Sequence, residues 1–239
     1  TFNKIDQYKK VETIILGTKN ILQFAIKSKC KKFIFFSSGS VYGYNNFKVR
    51  ENSPSSINLE DSNFDLNILG SSKKLAENII KYFSEKNNLN FTVLRCFSFI
   101  GPLIPLRIHY AVGNFLLKTL NNQDILIKGN PNTTRSLMYM SDLSVFIWKI
   151  VASKNKNRIY NLGSDEVIKI KDLAKLAKKI SKKKISIKYS KNNKQNKTYY
   201  APNINKIKKE LGYKPIVSIS KSIEKTYNNL IIFKKLYKY

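Results

Sequence analysis

Glycine, cysteine, histidine, methionine and acid are all in short supply in this chain of 239 residues, and each shortage closes off a class of protein. The nine glycines contain no G-x-G-x-x-G cluster, so the sequence carries no tight turn of the kind that lets a helix amino terminus cradle a phosphate. Two cysteines, Cys30 and Cys96, are too few for a disulfide framework; beside or within apolar segments, they read as packing residues of a protein in a reducing cytoplasm. The sole histidine, His109, has no Cys, Asp or Glu at ligand spacing, which argues against a metal site. No apolar run approaches the ~18 residues of a membrane helix, and no apolar leader opens the chain. With Thr1 first and only Met138 and Met140 as methionines, the chain reads as one that starts inside or after something longer.

Acid is the most telling shortage: 15 Asp and Glu stand against 44 Lys and Arg, a formal charge of +29. Such an excess ordinarily points to nucleic acid or an anionic membrane. Here the lysines alternate with Asn and Ile along the whole chain instead of gathering in one stripe. Neither a specific nucleic-acid partner nor a membrane is therefore expected, although the field would still draw in small anionic ligands.

What the sequence does hold is organised around Lys32 to Gly43, KFIFFSSGSVYG. Phe33, Ile34, Phe35 and Phe36 form an apolar run that suits a strand buried on both faces, and the run ends in Ser37, Ser38 and Ser40. In an open parallel sheet, ligands sit beyond the carboxyl ends of the strands, so these hydroxyls stand where chemistry would be placed. Upstream, a helix is predicted from about Tyr8 to Lys29, with Ile14, Ile21 and Ala25 on one face and Ile15, Leu22 and Ile26 beside them. Downstream, Leu69-Gly70-Ser71-Ser72-Lys73 opens a helix through Leu75, Ala76, Ile79, Ile80 and Phe83. Asn90 to Phe99 then reads as a second buried strand, ended by Gly101-Pro102. Leu69 and Lys73, four apart, share a helix face.

Further on, the pattern predicts a helix around Ala111 to Leu120 and a hairpin of Ile125–Lys128 with Arg135–Met140 around Gly129-Asn130-Pro131-Asn132. A helix from Leu143 to Val151, capped by Ser141-Asp142, follows, and then Tyr160 to Gly163 as the last strand of the sheet. Ile170, Leu173, Leu176, Ala177 and Ile180 mark an amphipathic helix, Ile185 to Tyr189 a short strand, and Lys191 to Lys197 a polar loop.

In this order the segments resemble the extended short-chain dehydrogenase/reductases that modify nucleotide sugars, the NAD-dependent epimerase/dehydratase family. The resemblance runs from Gly17-Thr18-Lys19-Asn20-Ile21-Leu22 through SSGSVYG, GSSK and Arg95-Cys96-Phe97-Ser98-Phe99-Ile100-Gly101-Pro102. It continues through Arg135-Ser136, Tyr139-Met140-Ser141-Asp142-Leu143 and Tyr160-Asn161-Leu162-Gly163 to Leu211-Gly212-Tyr213-Lys214-Pro215. It implies an α/β fold: a Rossmann-like doubly wound parallel sheet, amino-terminally incomplete because the pyrophosphate-binding turn would lie ahead of Thr1, with a small α/β substrate-binding lobe. The implied domains are 1-100 for the NAD-binding part, lacking its first βαβ part, and 101-239 mainly for the substrate-binding lobe, with 143-163 returning to the sheet.

The resemblance also implies a site. Ser38, four before the tyrosine of VYG, falls at the catalytic hydroxyl that hydrogen-bonds the reacting sugar oxygen, and Lys73 at the lysine that holds the ribose of NAD (or NADP). Ser37, Phe97 and Ser98 fall beside the cofactor. Ser40, Asn114 and Arg135 fall on the substrate, a nucleotide-diphosphate sugar, with the Arg135 fork suited to the diphosphate.

The departures carry equal weight. Four before its lysine the family has a tyrosine whose phenolate removes the hydroxyl proton as hydride leaves; Leu69 stands there, and a leucine has no proton to exchange. General acid/base catalysis is worth a factor of about 100 to 10,000, so hydride chemistry should be impaired unless another group substitutes, and Tyr42 and Tyr44 are the nearest tyrosines of the motif. Gly39 and Ser40 stand where the 4,6-dehydratases carry Asp and Glu, which favours an epimerase- or reductase-like ancestry over dehydration. Ile14, Ser98, Tyr199 and Asn203 stand where Asn, Asn, Arg and Asp are usual.

The function implied is an NAD-dependent epimerase/dehydratase-like protein acting on a nucleotide-diphosphate sugar by hydride transfer in impaired form. Two copies would pair through the helices spanning Ile14 to Ala25 and Lys73 to Phe83. A catalytically inactive remnant or binding module of the same fold is the alternative, and a polyanion-binding protein a further one.

Overall fold

A computed structural model describes residues 6–57, 64–106, 110–190 and 197–237. His109 and the segment from Lys191 to Asn196, read above from sequence, lie outside the described residues. In chain order the elements are α1 (Gln7–Lys27), β1 (Phe33–Ser38), a 3-10 turn (Gly39–Tyr42), α2 (Phe64–Lys86), β2 (Phe91–Cys96), β3 (Phe99–Ile100), α3 (Ala111–Leu120), β4 (Ile125–Ile127) and β5 (Thr134–Ser136). Then come β6 (Met138–Tyr139), α4 (Met140–Ala152), β7 (Arg158–Leu162), β8 (Val167–Lys169), α5 (Ile170–Ser181), β9 (Ile187–Tyr189), β10 (Tyr199–Tyr200), α6 (Asn205–Leu211) and α7 (Ile219–Tyr237). The chain forms two compact units: Thr1–Phe97 with Val145–Leu162 and Pro202–Tyr213, and Ser98–Ser144 with Gly163–Ala201 and Lys214–Tyr239.

The first unit is built on a parallel sheet in the order β1-β2-β7, the α/β architecture expected of the apolar runs. Ser38 is level with Cys96, and Cys96 with Leu162, so the three strands end together. Phe33, Phe91 and Val93 meet Leu22, Ala25, Ile80 and Leu89 in a core that removes large apolar side chains from water. Asp6 caps α1 by accepting from the Tyr8 N–H at 3.1 Å.

The buried line of α1 corrects the expected face. Thr18, Leu22 and Ala25 point inward, while Ile21 is 60% exposed. The seam is one step round the helix because the small Thr18 and Ala25 allow close approach, whereas periodicity alone favoured the larger isoleucines. Helix α2 begins at Phe64, ahead of the expected Leu69. Strand β2 stops at Cys96, earlier than the expected Phe99, because the Phe97 N–H still reaches Leu162 O but Phe99 already pairs with Met138 in β3. Cys30, expected to pack, is exposed; Cys96 is half-buried.

Pro202–Tyr213, given from sequence to the smaller lobe, sits in the first unit. Asn203 N–H donates to Val49 O, Gly212 takes the left-handed conformation (φ +59°) that closes α6, and the Tyr213 ring meets Phe146 edge-on at 4.9 Å.

In the second unit β5 lies between β10 and β8, while β4 pairs with β9 and β3 with β6. The expected hairpin is therefore corrected: β4 and β5 are neighbours in sequence but run in different sheets. Asn130 bends the chain between them, its carbonyl accepting from Thr133 N–H and its side-chain oxygen from Asn132 N–H, and Ile125 and Ile127 bury into a core with Leu173, Ala174 and Ala177 of α5. Asp142 is a second correction. It lies inside the first turn of α4, and its carboxylate accepts from the backbone N–H groups of Ile216 and Val217, holding the approach to α7 instead of capping its own helix. Among the described residues no helix is long and apolar enough to cross a membrane, and no three His, Cys, Asp or Glu gather as metal ligands.

Candidate functional site

Strand β1 delivers its hydroxyls to the carboxyl end of the sheet, and the 3-10 turn arranges them. Ser38 is the last strand residue and the cap of the turn: its Oγ accepts from the Ser40 N–H at 3.1 Å and from the Ser40 hydroxyl at 2.8 Å. Ser40 itself is buried. Helix α2 presses on this turn at Gly70, where a Cβ would stand 2.4 Å from Ser40 O. Only glycine allows that approach.

The same helix brings Lys73 to the end of β1. Its Nζ donates to Phe36 O at 2.8 Å and lies 4.6 Å from the centre of the Phe35 ring. Phe33 N–H is bonded to Asn90 O, on the β2 side, so by alternation Phe36 turns its carbonyl to the other edge of β1, where Lys73 takes it. Burial lowers the Lys73 pKa from the ordinary amine range, opposed by the neighbouring Cys96 and Glu77. Burial also raises the Cys96 thiol to about 12, so it keeps its proton. Leu69, one turn before Lys73, is half-buried and offers no polar atom.

Beneath these groups lies a polar network that sequence reasoning missed. Glu77, one turn beyond Lys73, receives Arg95 through Nε at 3.0 Å and Nη2 at 2.7 Å, and Ser37 Oγ donates to the same carboxylate at 2.6 Å. Arg95 Nη1 donates to the Tyr42 hydroxyl at 2.8 Å, and that hydroxyl donates to Asn161 Oδ1 at 2.6 Å. Burial alone would lower the Arg95 pKa, and the Glu77 carboxylate outweighs it, so the guanidinium is held charged. The available signal was the acid four residues after Lys73 on a lysine-rich helix, facing the one arginine of the LRCF strand.

The network decides what the remaining predicted residues can do. Ser37 spends its hydroxyl on Glu77 in the interior. Phe97 is buried and stacks on Tyr42, ring centres 6.4 Å apart. Tyr42 is only 2% exposed and burial pushes its pKa to about 12, so it is fixed in place of acting as a mobile proton carrier. Tyr44 is exposed, and its carbonyl accepts from the Ser56 hydroxyl.

The second unit holds the other predicted residues. Arg135, half-buried on β5, donates from Nη1 to Thr134 O at 3.0 Å and Thr198 Oγ1 at 3.1 Å, with its guanidinium 5.8 Å from the centre of the Tyr200 ring. Asn114 is half-buried on α3, in the turn capped by Tyr110. Ser98 bonds the Tyr110 hydroxyl, which also bridges the N–H and the carbonyl of Phe99. Ser38, Ser40 and Lys73 thus share the first unit, and Ser98, Asn114 and Arg135 the second.

Comparison with known proteins follows the same lines. Residues 3–163 match the sequence model of the NAD dependent epimerase/dehydratase family. The chain is 30% identical over 173 residues to the dTDP-D-glucose 4,6-dehydratase of Dictyostelium discoideum, covering 70% of this chain and 39% of that protein. It is 25% identical over 225 residues to UDP-glucuronic acid decarboxylase 1 of Arabidopsis thaliana, covering 92% of this chain and 50% of the relative. Among solved structures, UDP-glucose 4-epimerase of Thermotoga maritima with UDP-glucose superposes with a TM-score of 0.85 at 25% identity, over 97% of this chain and 72% of that one. The chain therefore spans about two fifths to one half of the length of these curated relatives.

Proposed function

Because the chain belongs to the NAD-dependent epimerase/dehydratase family, among the extended short-chain dehydrogenase/reductases, we propose that it binds a nucleotide-diphosphate sugar and derives from an NAD-linked hydride-transfer enzyme whose proton transfer it has lost. One observation carries the reading: the Lys73 ammonium bonds Phe36 O, so helix α2 and the Ser38 end of β1 bring an ammonium and a hydroxyl to one strand end. In this reading Ser38 donates to the reacting sugar oxygen, Ser40 adjoins it, and Arg135 with Asn114 holds the diphosphate.

Of a nicotinamide dinucleotide, NAD or NADP, the residues present fit the ribose end. Lys73 would hold the ribose hydroxyls, Ser98 would lie beside the ring, and Ser37 and Phe97 would support the floor from the interior network. The sequence supplies no glycine-rich turn for the pyrophosphate. When bound, the cofactor accepts and returns a hydride.

Leu69 favours a second reading, a binding module that no longer turns over. Leu69 one turn before Lys73 carries no proton to exchange, and Tyr42 is locked between Arg95 and Asn161, so neither of these two positions supplies a mobile phenol. A pair of such chains is also proposed. Ile21 and Phe24 on α1 and Leu75 and Tyr82 on α2 are half to two-thirds exposed, and they offer a second copy an apolar surface.

Titration calorimetry of the full-length protein with UDP, UDP-glucose and NADH tests the proposal. Binding of UDP-glucose with turnover that rises at least a hundredfold on Leu69→Tyr supports the enzyme lineage, and binding without any recovered turnover supports the module. Failure of both UDP-glucose and NADH to bind overturns the proposal.

A further inference from the structure

Strand β7 is the outer strand of its sheet, and two side chains take up its free edge. Lys206 Nζ donates to Ile159 O at 2.8 Å, and Glu51 Oε1 accepts from Asn161 N–H at 2.9 Å. Between the segments that carry them, within the first unit, lies a cleft of about 450 Å³ lined by Arg50, Glu51, Asn52, Asn203, Asn205 and Lys206. That size falls within the ~300–1,000 Å³ of small-molecule sites. Its walls are set by bonds of their own. On one side the turn Arg50–Ser53 is closed by Ser53 N–H to Arg50 O and by Arg50 N–H to Ser53 Oγ, each 2.9 Å, and the Glu51 carbonyl accepts from Arg95 Nη1 at 2.9 Å. On the other, Asn203 N–H donates to Val49 O at 2.8 Å, Asn203 Oδ1 accepts from Asn205 N–H at 3.0 Å, and the Lys206 ammonium lies 5.4 Å from the centre of the Tyr160 ring.

The lining carries two cations, Arg50 and Lys206, against one carboxylate, Glu51. Among the described residues no ion pair ties either cation to an acid, and the Arg50 guanidinium has no hydrogen-bond partner. Lys206 spends one of its three N–H groups on Ile159 and keeps two. We infer that this cleft is an anion site in its own right, and that it takes a small sugar phosphate, with the phosphate on Arg50 and Lys206 and the sugar hydroxyls on Asn52, Asn205 and Glu51. A guanidinium fork beside an ammonium matches the several oxygens of one phosphate group. Side-chain amides both donate and accept, as hydroxyls require. Glu51 sets the preference within the class: it repels a bare phosphate, whereas a sugar phosphate repays that cost with a hydroxyl that donates to the carboxylate. The inference stands apart from the nucleotide-sugar reading, whose proposed diphosphate contact, Arg135, belongs to the second unit.

The test is titration calorimetry of the full-length protein with glucose 1-phosphate and with inorganic phosphate, repeated on Arg135→Ala so that the proposed diphosphate contact cannot supply the signal. Glucose 1-phosphate should bind about tenfold more tightly than inorganic phosphate to both proteins. In the Arg135→Ala background, Arg50→Gln should weaken both ligands about tenfold or more, because the fork is lost. Asn205→Ala should weaken glucose 1-phosphate alone. Glu51→Gln, whose amide oxygen can still accept from Asn161 N–H, should tighten inorganic phosphate and shrink the ratio. Lys183→Gln removes one exposed charge from the second unit and should change neither ligand. Arg50 and Asn205 are exposed, and a melting curve establishes that each variant folds. Absence of saturable glucose 1-phosphate binding to Arg135→Ala overturns the inference, as does a ratio of one, or a loss with Arg50→Gln no larger than with Lys183→Gln. Titration with UDP-glucose reads the nucleotide-sugar proposal separately.

Discussion

Glu77 and Arg95 face each other in a two-pronged ion pair, Nη2 to Oε2 at 2.7 Å, with both side chains about 3% exposed. The pair ties α2, which carries Lys73, to β2, and Ser37 ties β1 to the same carboxylate. Removing one partner of a buried pair leaves an uncompensated charge, so Glu77→Ala should cost about 3–5 kcal/mol. Glu77→Gln keeps an acceptor for Ser37 and should cost less. Urea denaturation of the three proteins checks this, and a loss below about 1 kcal/mol for Glu77→Ala would show that the network is not what holds α2 on the sheet.

Gly70 tests the contact between α2 and the serine turn. Alanine is the better helix former by about 1 kcal/mol, so propensity predicts that Gly70→Ala stabilises. The new methyl, however, would stand 2.4 Å from Ser40 O and 2.9 Å from an Ile57 side-chain carbon. A backbone oxygen cannot step aside as a flexible side chain can, and overpacking of this kind costs typically about 1–3 kcal/mol. The clash wins, and Gly70→Ala should lower the melting temperature.

Tyr42 gives the protein an alkaline limit. Its folded pKa of about 12 lies above the ordinary 10, so as pH rises the unfolded chain gives up this proton first. The contribution is therefore complete below pH 10 and is lost between about 10 and 12, a change on the order of 2–3 kcal/mol. Tyr42→Phe should be less stable than the wild type at pH 8, because Asn161 and Arg95 lose a partner, and the gap should narrow by pH 11. Denaturation at the two pH values measures it; a gap that widens would contradict the assignment.

Legibility from sequence stops at the same physical boundary for fold and site. The order of elements follows from local signals: the FIFF run, the long helix after residue 63 and the YNL strand all lie near their expected places. Pairing is non-local and was not legible. Ile125 finds Ile187 across 62 residues, and no turn signal at Gly129-Asn130 could announce that the nearer β5 would join other strands. In the site, Ser38 and Lys73 stand out only through the family motifs that the sequence resembles, whereas Glu77 and Arg95 are neighbours only once α2 lies on β2. Asp142 misleads for a related reason: an acid at a helix start suggests a cap, and its actual acceptor role depends on backbone 74 residues away.

The apolar faces of α1 and α2 predict association. Phe24 is 68% exposed and Tyr82 59%, on two helices that pack side by side in one unit. On the proposed pairing the wild type forms a dimer; Phe24→Glu and Tyr82→Glu place a charge where the second copy would bury area, and each should then shift the dimer to monomer without lowering the melting temperature of the monomer. Sedimentation velocity over a concentration series reads the outcome, and an unchanged sedimentation coefficient would remove these faces as the interface.

Arg135 tests whether a fork or merely a charge is needed at the proposed diphosphate contact. Nη1 is anchored on Thr134 O and Thr198 Oγ1, and the guanidinium lies over Tyr200, so its plane is set before any ligand arrives. A preset fork can present parallel N–H donors to two oxygens, while the lysine ammonium is a point charge on a flexible stem. Arg135→Ala should weaken UDP binding by about 10- to 100-fold, and Arg135→Lys should recover less than half of that loss in free energy, with a similar dependence on salt. Charge alone predicts the opposite pattern: full recovery by lysine at low salt, lost as salt rises. Calorimetry at two ionic strengths separates them, and full recovery by Arg135→Lys would show that the Thr198 anchor and the Tyr200 ring contribute nothing to recognition.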